Sequence, residues 1–168
     1  LSSAASDVYK RQLRMEGFLS AINPHKNMIV EETFESRSDR IRIRKLVSGM
    51  LQDNKRINAI FCADQTAADM LGDILQEEGY SKNNMKVVCF GMSREIYKYL
   101  QDGTYTFSVM NDTVEMGYQA VKTLKDCING KSGEKRIVYT EIENADKDFD
   151  FESWKAEWEN RERSCMMS

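Results

Sequence analysis

The sequence is poor in several features that mark membrane, metal-binding and nucleic-acid-binding proteins. Its 168 residues include one histidine and one proline, and no apolar run approaches the roughly 18 residues of a membrane span. With His25 as the single histidine, His-based metal sites and Ser-His or Cys-His catalysis lack their central residue. The 24 Lys and Arg residues are balanced by 27 Asp and Glu, so there is no basic excess for binding phosphates. Nucleic acid is therefore not expected as a partner.

The four cysteines also lack the spacing of a metal or redox site. No C-x-x-C pair occurs among Cys62, Cys89, Cys127 and Cys165, which argues against zinc and dithiol chemistry. Cys62 and Cys89 stand inside apolar runs and are predicted to be buried core residues. Neither a G-x-G-x-x-G nor a P-loop pattern occurs, so no phosphate cradle is expected. Since a nucleophile-base pair is also missing, we expect no cofactor, no metal and no enzymatic activity.

What the sequence does contain is a regular alternation of helical and strand-like apolar patterns from Leu13 onward. This alternation predicts an α/β fold, a three-layer parallel sheet with helices on both faces. The predicted strands are 28–33, 59–63, 87–90, 107–110 and 137–143. The predicted helices are 14–22, 38–52, 67–78, 94–101 and 114–129, and Trp154 and Trp158 are spaced for one amphipathic helical turn.

The first twelve residues differ from the rest of the chain. Residues 1–12 show no helical or strand period that continues beyond Leu13. Asp7–Gln12 reads Asp-Val-Tyr-Lys-Arg-Gln, which is what a transposase-end DNA used to prepare sequencing libraries encodes. We therefore expect residues 1–12 to be a non-native segment derived from a sequencing adaptor, and the natural protein to begin further upstream. The alternative is a natural polar arm.

Candidate ligand-binding residues come directly after the predicted strands, where the loops of an open parallel sheet converge. The residues selected by this geometry are Phe34, Asp64, Gln65, Met92 and Asn111. Carboxylate and amide groups suit paired hydroxyls, while Phe34 or Met92 could cover the apolar face of a ring. Asp64 also stands where a helix N-cap stands, so capping alone could explain it. Asn111 lies one position before a cap and is less easily explained in that way.

At these loops the sequence resembles the type I periplasmic-binding-protein family, which includes ribose- and galactose-binding proteins and lactose-repressor-like regulators. INAIFCADQTAADMLGDILQEEGY resembles the family's strand, polar loop and helix, and KVVCFGMS resembles its V-V-G-F-D-G strand end. The most specific match is LQDGTYTFSVMNDTVEMGYQAVKTLKDCINGK. Arg14-x-x-Gly17-Phe18 is similar to the Arg-x-x-Gly-Phe of an earlier helix. The resemblance covers about Leu13 to Asn144 and implies mainly the C-terminal lobe of the fold.

The family's ligand positions carry over only in part. Asp64 stands where the family often has a sugar-binding Asn, and Asn111 where it often has a Gln. Gly91 replaces the sugar-binding Asp. A stacking Phe and a ligand-binding Arg of the family correspond to Ser38 and Gln12. The resemblance therefore implies a small ligand. It supports a mono- or disaccharide as that ligand less strongly than it supports the fold.

The resemblance also implies a division of the chain. Residues 13–110 would form the C-terminal lobe, 111–145 a return segment that packs on an N-terminal lobe, and 146–168 a charged tail. Two such lobes would close on the ligand about a hinge. Because about 156 residues from Leu13 onward are too few for two lobes of roughly 100–150 residues each, we expect a truncated protein that alone binds sugar weakly or not at all.

Three uses of this fold remain open. The pattern Asp102-Gly103-Thr104-Tyr105 and the C-terminal pattern that begins at Thr140 resemble those of transport-linked members of the family. They favour a substrate-binding protein of a carbohydrate ABC transport system. Such a protein would be extracytoplasmic and recognised by a membrane permease. The alternatives are the effector-binding domain of a lactose-repressor-like transcriptional regulator, which would be cytoplasmic, and an extracytoplasmic sensor domain of a signalling protein. Four unpaired thiols are more typical of a reducing cytoplasm. The coding sequence upstream of Leu13 would discriminate among the three.

Overall fold

The fold is a four-stranded sheet with helices packed against it. The computed structural model describes residues 3–53, 56–80, 83–131 and 138–166. The helices are α1 (Ser3–Ile22), α2 (Arg40–Asp53), α3 (Gln65–Glu77), α4 (Arg94–Gln101), α5 (Thr113–Ile128) and α6 (Phe151–Met166). The strands are β1 (Ala59–Cys62), β2 (Lys86–Phe90), β3 (Phe107–Asn111) and β4 (Ile142–Ala145). The strands lie side by side in the order β1-β2-β3-β4.

Helices cover both faces of the sheet, as the alternating sequence pattern predicts. Cys62 and Cys89 are buried beside α3 and α4, and burial raises the pKa of the Cys89 thiol to about 11. Because successive side chains of a strand point to opposite faces, Phe61 and Phe90 lie on the other face. There Phe61 stacks on Phe18 of α1, with ring centroids 4.4 Å apart. The predicted three-layer α/β arrangement and the buried cysteines are confirmed.

The sheet is mixed rather than wholly parallel. β1, β2 and β3 pair in parallel, whereas β4 runs antiparallel to β3, with Ser108 opposite Ala145 and Asn111 opposite Ile142. β4 also begins later than the predicted strand at 137–143, whose first residue lies outside the described residues. The prediction of a purely parallel sheet is thus corrected at its last strand.

Two further predictions from the sequence were wrong. Residues 28–33 form neither strand nor helix; Ile29 is 75% exposed, and none of the described strands pairs with this segment. Without a neighbouring strand, the backbone N–H and C=O groups of an apolar run hydrogen-bond to water instead. The helix predicted at 14–22 begins instead at Ser3, so residues 3–12 continue it without a break. The non-native origin of residues 1–12 stays a prediction.

The sheet and the helices that connect its parallel strands form the main core. Tyr99 of α4 and Tyr105 are almost fully buried, and their rings pack with centroids 5.1 Å apart. The Tyr105 hydroxyl donates to the carbonyl of Ala68 in α3, and the Tyr99 hydroxyl donates to Asp73. The first bond ties α3 to the segment that leads into β3, and the second ties α4 to α3. Among the described residues, no helix is both long enough and apolar enough to cross a bilayer.

Candidate functional site

The loops at the ends of the three parallel strands open on one cleft. This cleft has a volume of about 550 Å³, and α1 and α6 supply its remaining walls. Four of the five residues selected from the sequence line it: Asp64, Gln65, Met92 and Asn111. Phe34, the fifth, is 39% exposed and does not line the cleft. The absence of a strand at 28–33 explains this, because the loop that carries Phe34 does not leave the sheet edge with the other loops.

Asp64 is held by hydrogen bonds on both of its carboxylate oxygens. Its Oδ1 accepts from the backbone N–H of Ala67 at 2.9 Å and so caps α3. Its Oδ2 accepts from the Ser36 hydroxyl at 2.8 Å, and Ser36 in turn accepts from Arg11 Nη1 at 3.5 Å. Asp64 is therefore a helix cap that also lines the cleft. Its orientation is set before any ligand arrives, since the cap restricts its rotamer.

The side chain of Gln65 packs closely against Gly91 in the cleft. Gln65 Nε2 donates to the carbonyl of Met92 at 3.2 Å. Gly91 has φ of +101°, a conformation that L side chains rarely adopt, and a Cβ there would lie 2.7 Å from Gln65 Oε1. An aspartate at position 91 would therefore be strained and would displace Gln65. The loss of the family's aspartate and the position of Gln65 are two parts of one local arrangement.

Asn111 is the least constrained of the four cleft residues. It ends β3 and is exposed, and its side chain makes no hydrogen bond to any described residue. The next residue, Asp112, caps α5 by accepting from Glu115 N–H at 2.9 Å and forms an ion pair with Arg161 of α6. Burial raises the pKa of Asp112. The hydrogen bond from Glu115 N–H and the ion pair with Arg161 lower this pKa by a larger amount, so the net pKa lies below its usual value. The amide of Asn111 thus stays available beside a carboxylate that is already paired.

Several cleft residues were not among those selected from the sequence. Arg14 donates from Nη1 to the Ala63 carbonyl at 2.8 Å and lies 4.3 Å from the centre of the Phe90 ring. Others come from the ends of the chain, and they include Lys10, Trp154, Trp158 and Glu159. The four-residue spacing of the tryptophans was a visible signal. It indicated a helix but could not show where that helix would pack.

The cleft offers binding groups rather than a catalytic set. Its polar lining consists of two carboxylates, Asp64 and Glu159, two side-chain amides, Gln65 and Asn111, several hydroxyls, and the basic side chains of α1 and of Lys155 in α6. In the described ranges no three side chains of the His, Cys, Asp and Glu types are grouped as metal ligands are. Such a lining can hydrogen-bond a neutral polyhydroxyl molecule, with Met92 and tryptophan as apolar surface.

Comparison with protein families gives one match that covers most of the chain. The model described as periplasmic binding protein domain matches residues 3–132. That range includes α1 to α5 and every polar cleft residue selected from the sequence, and it ends before β4 and α6. A search of curated proteins gives no significant match.

Solved structures share the fold. GanP, a glucose-galactose binding protein from Geobacillus stearothermophilus, is 25% identical over 81% of this chain and 48% of its own, with a TM-score of 0.75. An ABC transporter solute binding protein from Burkholderia graminis, solved with D-arabinose, is 25% identical over 80% of this chain and 47% of its own, with a TM-score of 0.75. XylFII in its complex with LytSN is 25% identical over 80% and 46%, with a TM-score of 0.71. The chain therefore spans about half the length of these proteins.

Proposed function

The chain belongs to the periplasmic binding protein domain family, and from this premise we propose that it is the ligand-binding lobe of a sugar-binding protein in a carbohydrate ABC transport system. The proposal makes the protein a binder and not an enzyme. Its ligand is a mono- or disaccharide, its partner a membrane permease and its location extracytoplasmic. The observation that carries the proposal is that Asp64, Gln65 and Asn111, from two different strand ends, line a single cleft with Met92.

The chemistry of these groups matches a sugar better than it matches a phosphate or a nucleotide. A carboxylate accepts from two adjacent hydroxyls, and an amide both donates and accepts. Asp64 keeps one rotamer through its cap, which reduces the entropy lost when a ligand binds. The relatives support the same class of ligand. GanP is named for glucose and galactose, and the Burkholderia protein was solved with D-arabinose.

We propose that residues 13–110 form one lobe of a two-lobed binder, that the return segment 111–145 packs on the other lobe through α5 while its strand β4 stays in this sheet, and that 146–168 are an appended tail. The proposal is supported by α5, all of whose residues are described and none of whose side chains is buried. Its apolar side chains Val121, Leu124 and Ile128 are 66%, 60% and 76% exposed. A row of this size on a helix marks a surface that another domain covers. Closure of two lobes about a hinge would then enclose the ligand.

Sugar binding is tested on the purified chain by saturation-transfer NMR with D-galactose, D-glucose and D-arabinose at millimolar concentrations. Because one lobe offers only part of the contacts, we expect weak binding, with Kd of about 1 mM or higher. In N111A we expect the transfer signal to fall about tenfold or vanish, while the fold is kept because Asn111 bonds to no described side chain.

N144A is the matched control, since Asn144 is an exposed asparagine on the adjacent strand β4 and does not line the cleft. N144A should bind as the parent chain does. The sugar proposal is rejected if none of the three sugars gives a signal either with this chain or with a chain that also carries the proposed second lobe, and the cleft is rejected as the site if N111A and N144A behave alike. Micromolar affinity of this chain alone would contradict the two-lobe proposal.

A second candidate function of the same lobe is to be recognised by a signalling partner protein. It is supported by the similarity to XylFII, which was solved as a complex with LytSN. Uptake of labelled sugar and the transcriptional response to that sugar, both measured in a deletion strain, separate the two uses. Loss of uptake supports the transport proposal. Normal uptake with a lost transcriptional response supports the sensor.

A further inference from the structure

The last helix forms a wall of the cleft although it lies outside the residues that match the family. The family model ends at residue 132, whereas α6 begins at Phe151. α6 brings Trp154, Lys155, Trp158 and Glu159 to the cleft that Asp64 and Asn111 line. The cleft of this chain therefore has a wall that the family match does not account for.

Contacts with three other elements hold α6 in this place. Phe151 stacks on Tyr97 of α4, with ring centroids 4.9 Å apart. Trp154 Nε1 donates to Glu143 Oε2 of β4 at 2.5 Å. One turn beyond Trp158, Arg161 pairs with Asp112, which caps α5. Because these anchors lie on both sides of Trp158 in the chain, they hold the part of α6 that carries Trp158 to the cleft.

The two tryptophans of α6 differ in what their rings contact. Trp154 packs between Phe149 and Phe151, with centroids 6.0 and 5.8 Å away, and its N–H is bonded to Glu143. Trp158 is half-buried, lines the cleft, and makes neither a ring contact nor a hydrogen bond with any described residue. Trp154 is thus part of the packing. The aromatic face and the indole N–H of Trp158 are therefore available to a ligand in the cleft.

The other aromatic residues near the cleft cannot take this role. The guanidinium of Arg14 covers the Phe90 ring, which also packs nearly perpendicular to Phe61 with centroids 5.9 Å apart, and the Phe151 ring is stacked on Tyr97. Phe34 does not line the cleft. A pyranose presents an apolar C–H face as well as hydroxyls, and a flat aromatic side chain is the surface that buries it at low entropic cost.

We propose that Trp158 is a specificity-determining residue of the sugar site, its indole stacking on the C–H face of the ring whose hydroxyls Asp64 and Asn111 bind. This inference rests on the proposed sugar-binding function. Arg161 is a positioning residue, because its ion pair ties α6 to Asp112, the residue that follows Asn111. Sugars whose two faces differ in the placement of axial hydroxyls should therefore be distinguished by this helix.

The test uses the indole N–H signals of the two tryptophans in ¹⁵N-labelled chain. The single-tryptophan variants W154F and W158F assign the two signals, since the chain has two tryptophans. On titration with D-galactose, D-glucose and D-arabinose, we expect the Trp158 signal to shift together with backbone amides near Asp64 and Asn111. The Trp154 signal, whose donor is already bonded to Glu143, should stay in place.

Affinities of three variants complete the test. W158A should bind about tenfold more weakly, while W158F, which keeps a ring, should bind within about threefold of the parent chain. Y139A is the control, since Tyr139 is an exposed aromatic residue outside the cleft, and it should leave the affinity unchanged. If W158A unfolds, the Trp158 signal of the parent chain and the affinity of W158F still decide the question.

The outcomes separate this inference from the proposed function. If amides of the cleft shift while the Trp158 signal does not, sugar binds without Trp158 and the inference is overturned, whereas the function stands. Tighter binding by W158A means that α6 obstructs the cleft and also overturns it. If no signal responds to any of the three sugars, either in this chain or in a chain that also carries the proposed second lobe, the proposed function and the inference fall together.

Discussion

Two helices of this chain, α3 and α5, have the same kind of apolar row but very different surroundings. Each comes after a parallel strand and begins with an aspartate cap, Asp64 in α3 and Asp112 in α5. The row of α3 is buried against the sheet and α4, and it comprises Ala68, Met70, Leu71, Ile74 and Leu75. In α5, all of which is described, no residue is buried. The difference lies in the surroundings, since the two helices have similar sequence patterns.

The comparison teaches that an amphipathic pattern defines a face and not its partner. α3 connects two adjacent parallel strands, so its apolar row returns over the sheet. α5 comes after β3, and β4 then returns antiparallel to β3 without bringing the helix onto the core. The exposed row of α5 therefore marks the surface where we propose that the second lobe packs.

The largest contrast is expected between leucine truncations in the two helices. Leu71 is 1% exposed and Leu124 is 60% exposed. L71A should lower the free energy of unfolding by about 2–5 kcal/mol, because it leaves a cavity in the core. L124A should change it by less than about 0.5 kcal/mol. Urea denaturation followed by circular dichroism measures both variants.

Adding the proposed second lobe sharpens this contrast. In a two-lobed protein L124A should become costly, since Leu124 would then be buried, whereas the cost of L71A should stay the same. A cost of L124A that is equal with and without the second lobe would refute the assignment of α5 to the lobe interface.

Glycines in the two helices should respond to alanine with opposite signs. A Cβ at Gly72 of α3 would overlap the ring of Tyr99, while a Cβ at Gly117 of α5 would meet nothing within 4 Å. G72A should destabilise the protein by about 1–3 kcal/mol through overpacking. G117A should stabilise it by about 0.5–1 kcal/mol through helix propensity. Thermal unfolding compares them, and equal signs would contradict the packing of α3 on α4.

The smallest effect concerns the ion pair that ties α6 to the cap of α5. The side chains of Arg161 and Asp112 are 36% and 10% exposed, so solvent screens the charge of Arg161 in this pair. A double-mutant cycle of D112N and R161Q should therefore give an interaction energy below about 1 kcal/mol. Because the pKa of Asp112 lies below its usual value of about 3.9, its stabilising contribution is complete above about pH 4 and is lost as pH falls through the folded-state pKa.

D112N should lack this part of the acid response. Tryptophan fluorescence monitored during acidification measures it, since Trp154 and Trp158 lie on the helix that the pair holds. An acid transition identical in D112N and the parent chain would show that the pair does not anchor α6.

Much of the core could be predicted from the sequence because its signals are local. The predicted strand at 87–90 is a continuous apolar run, and Asp64 precedes regular helical spacing; Asp64 Oδ1 accepts from Ala67 N–H at 2.9 Å, as expected of a cap. The segment 28–33 has a strand-like composition as well. It remains irregular because a strand needs a neighbour for its backbone groups, and composition cannot supply one.

The candidate site divides in the same way. Asp64, Gln65, Met92 and Asn111 could be selected because a parallel sheet places the loops after its strands at one edge. Phe34 could not be excluded, since its exclusion depends on a strand that does not form. Trp158 could not be included, because α6 reaches the cleft through Tyr97, Glu143 and Asp112, each on a different element.

The sequence by itself determined the α/β class, the caps, the buried cysteines and the polar residues at the strand ends, since periodicity and capping act over a few neighbouring residues. Only the tertiary structure decided that β4 reverses, that α5 is left uncovered and that α6 forms a wall of the cleft. Those outcomes depend on contacts between residues far apart in the chain, and no local pattern specifies which distant surface a helix will meet.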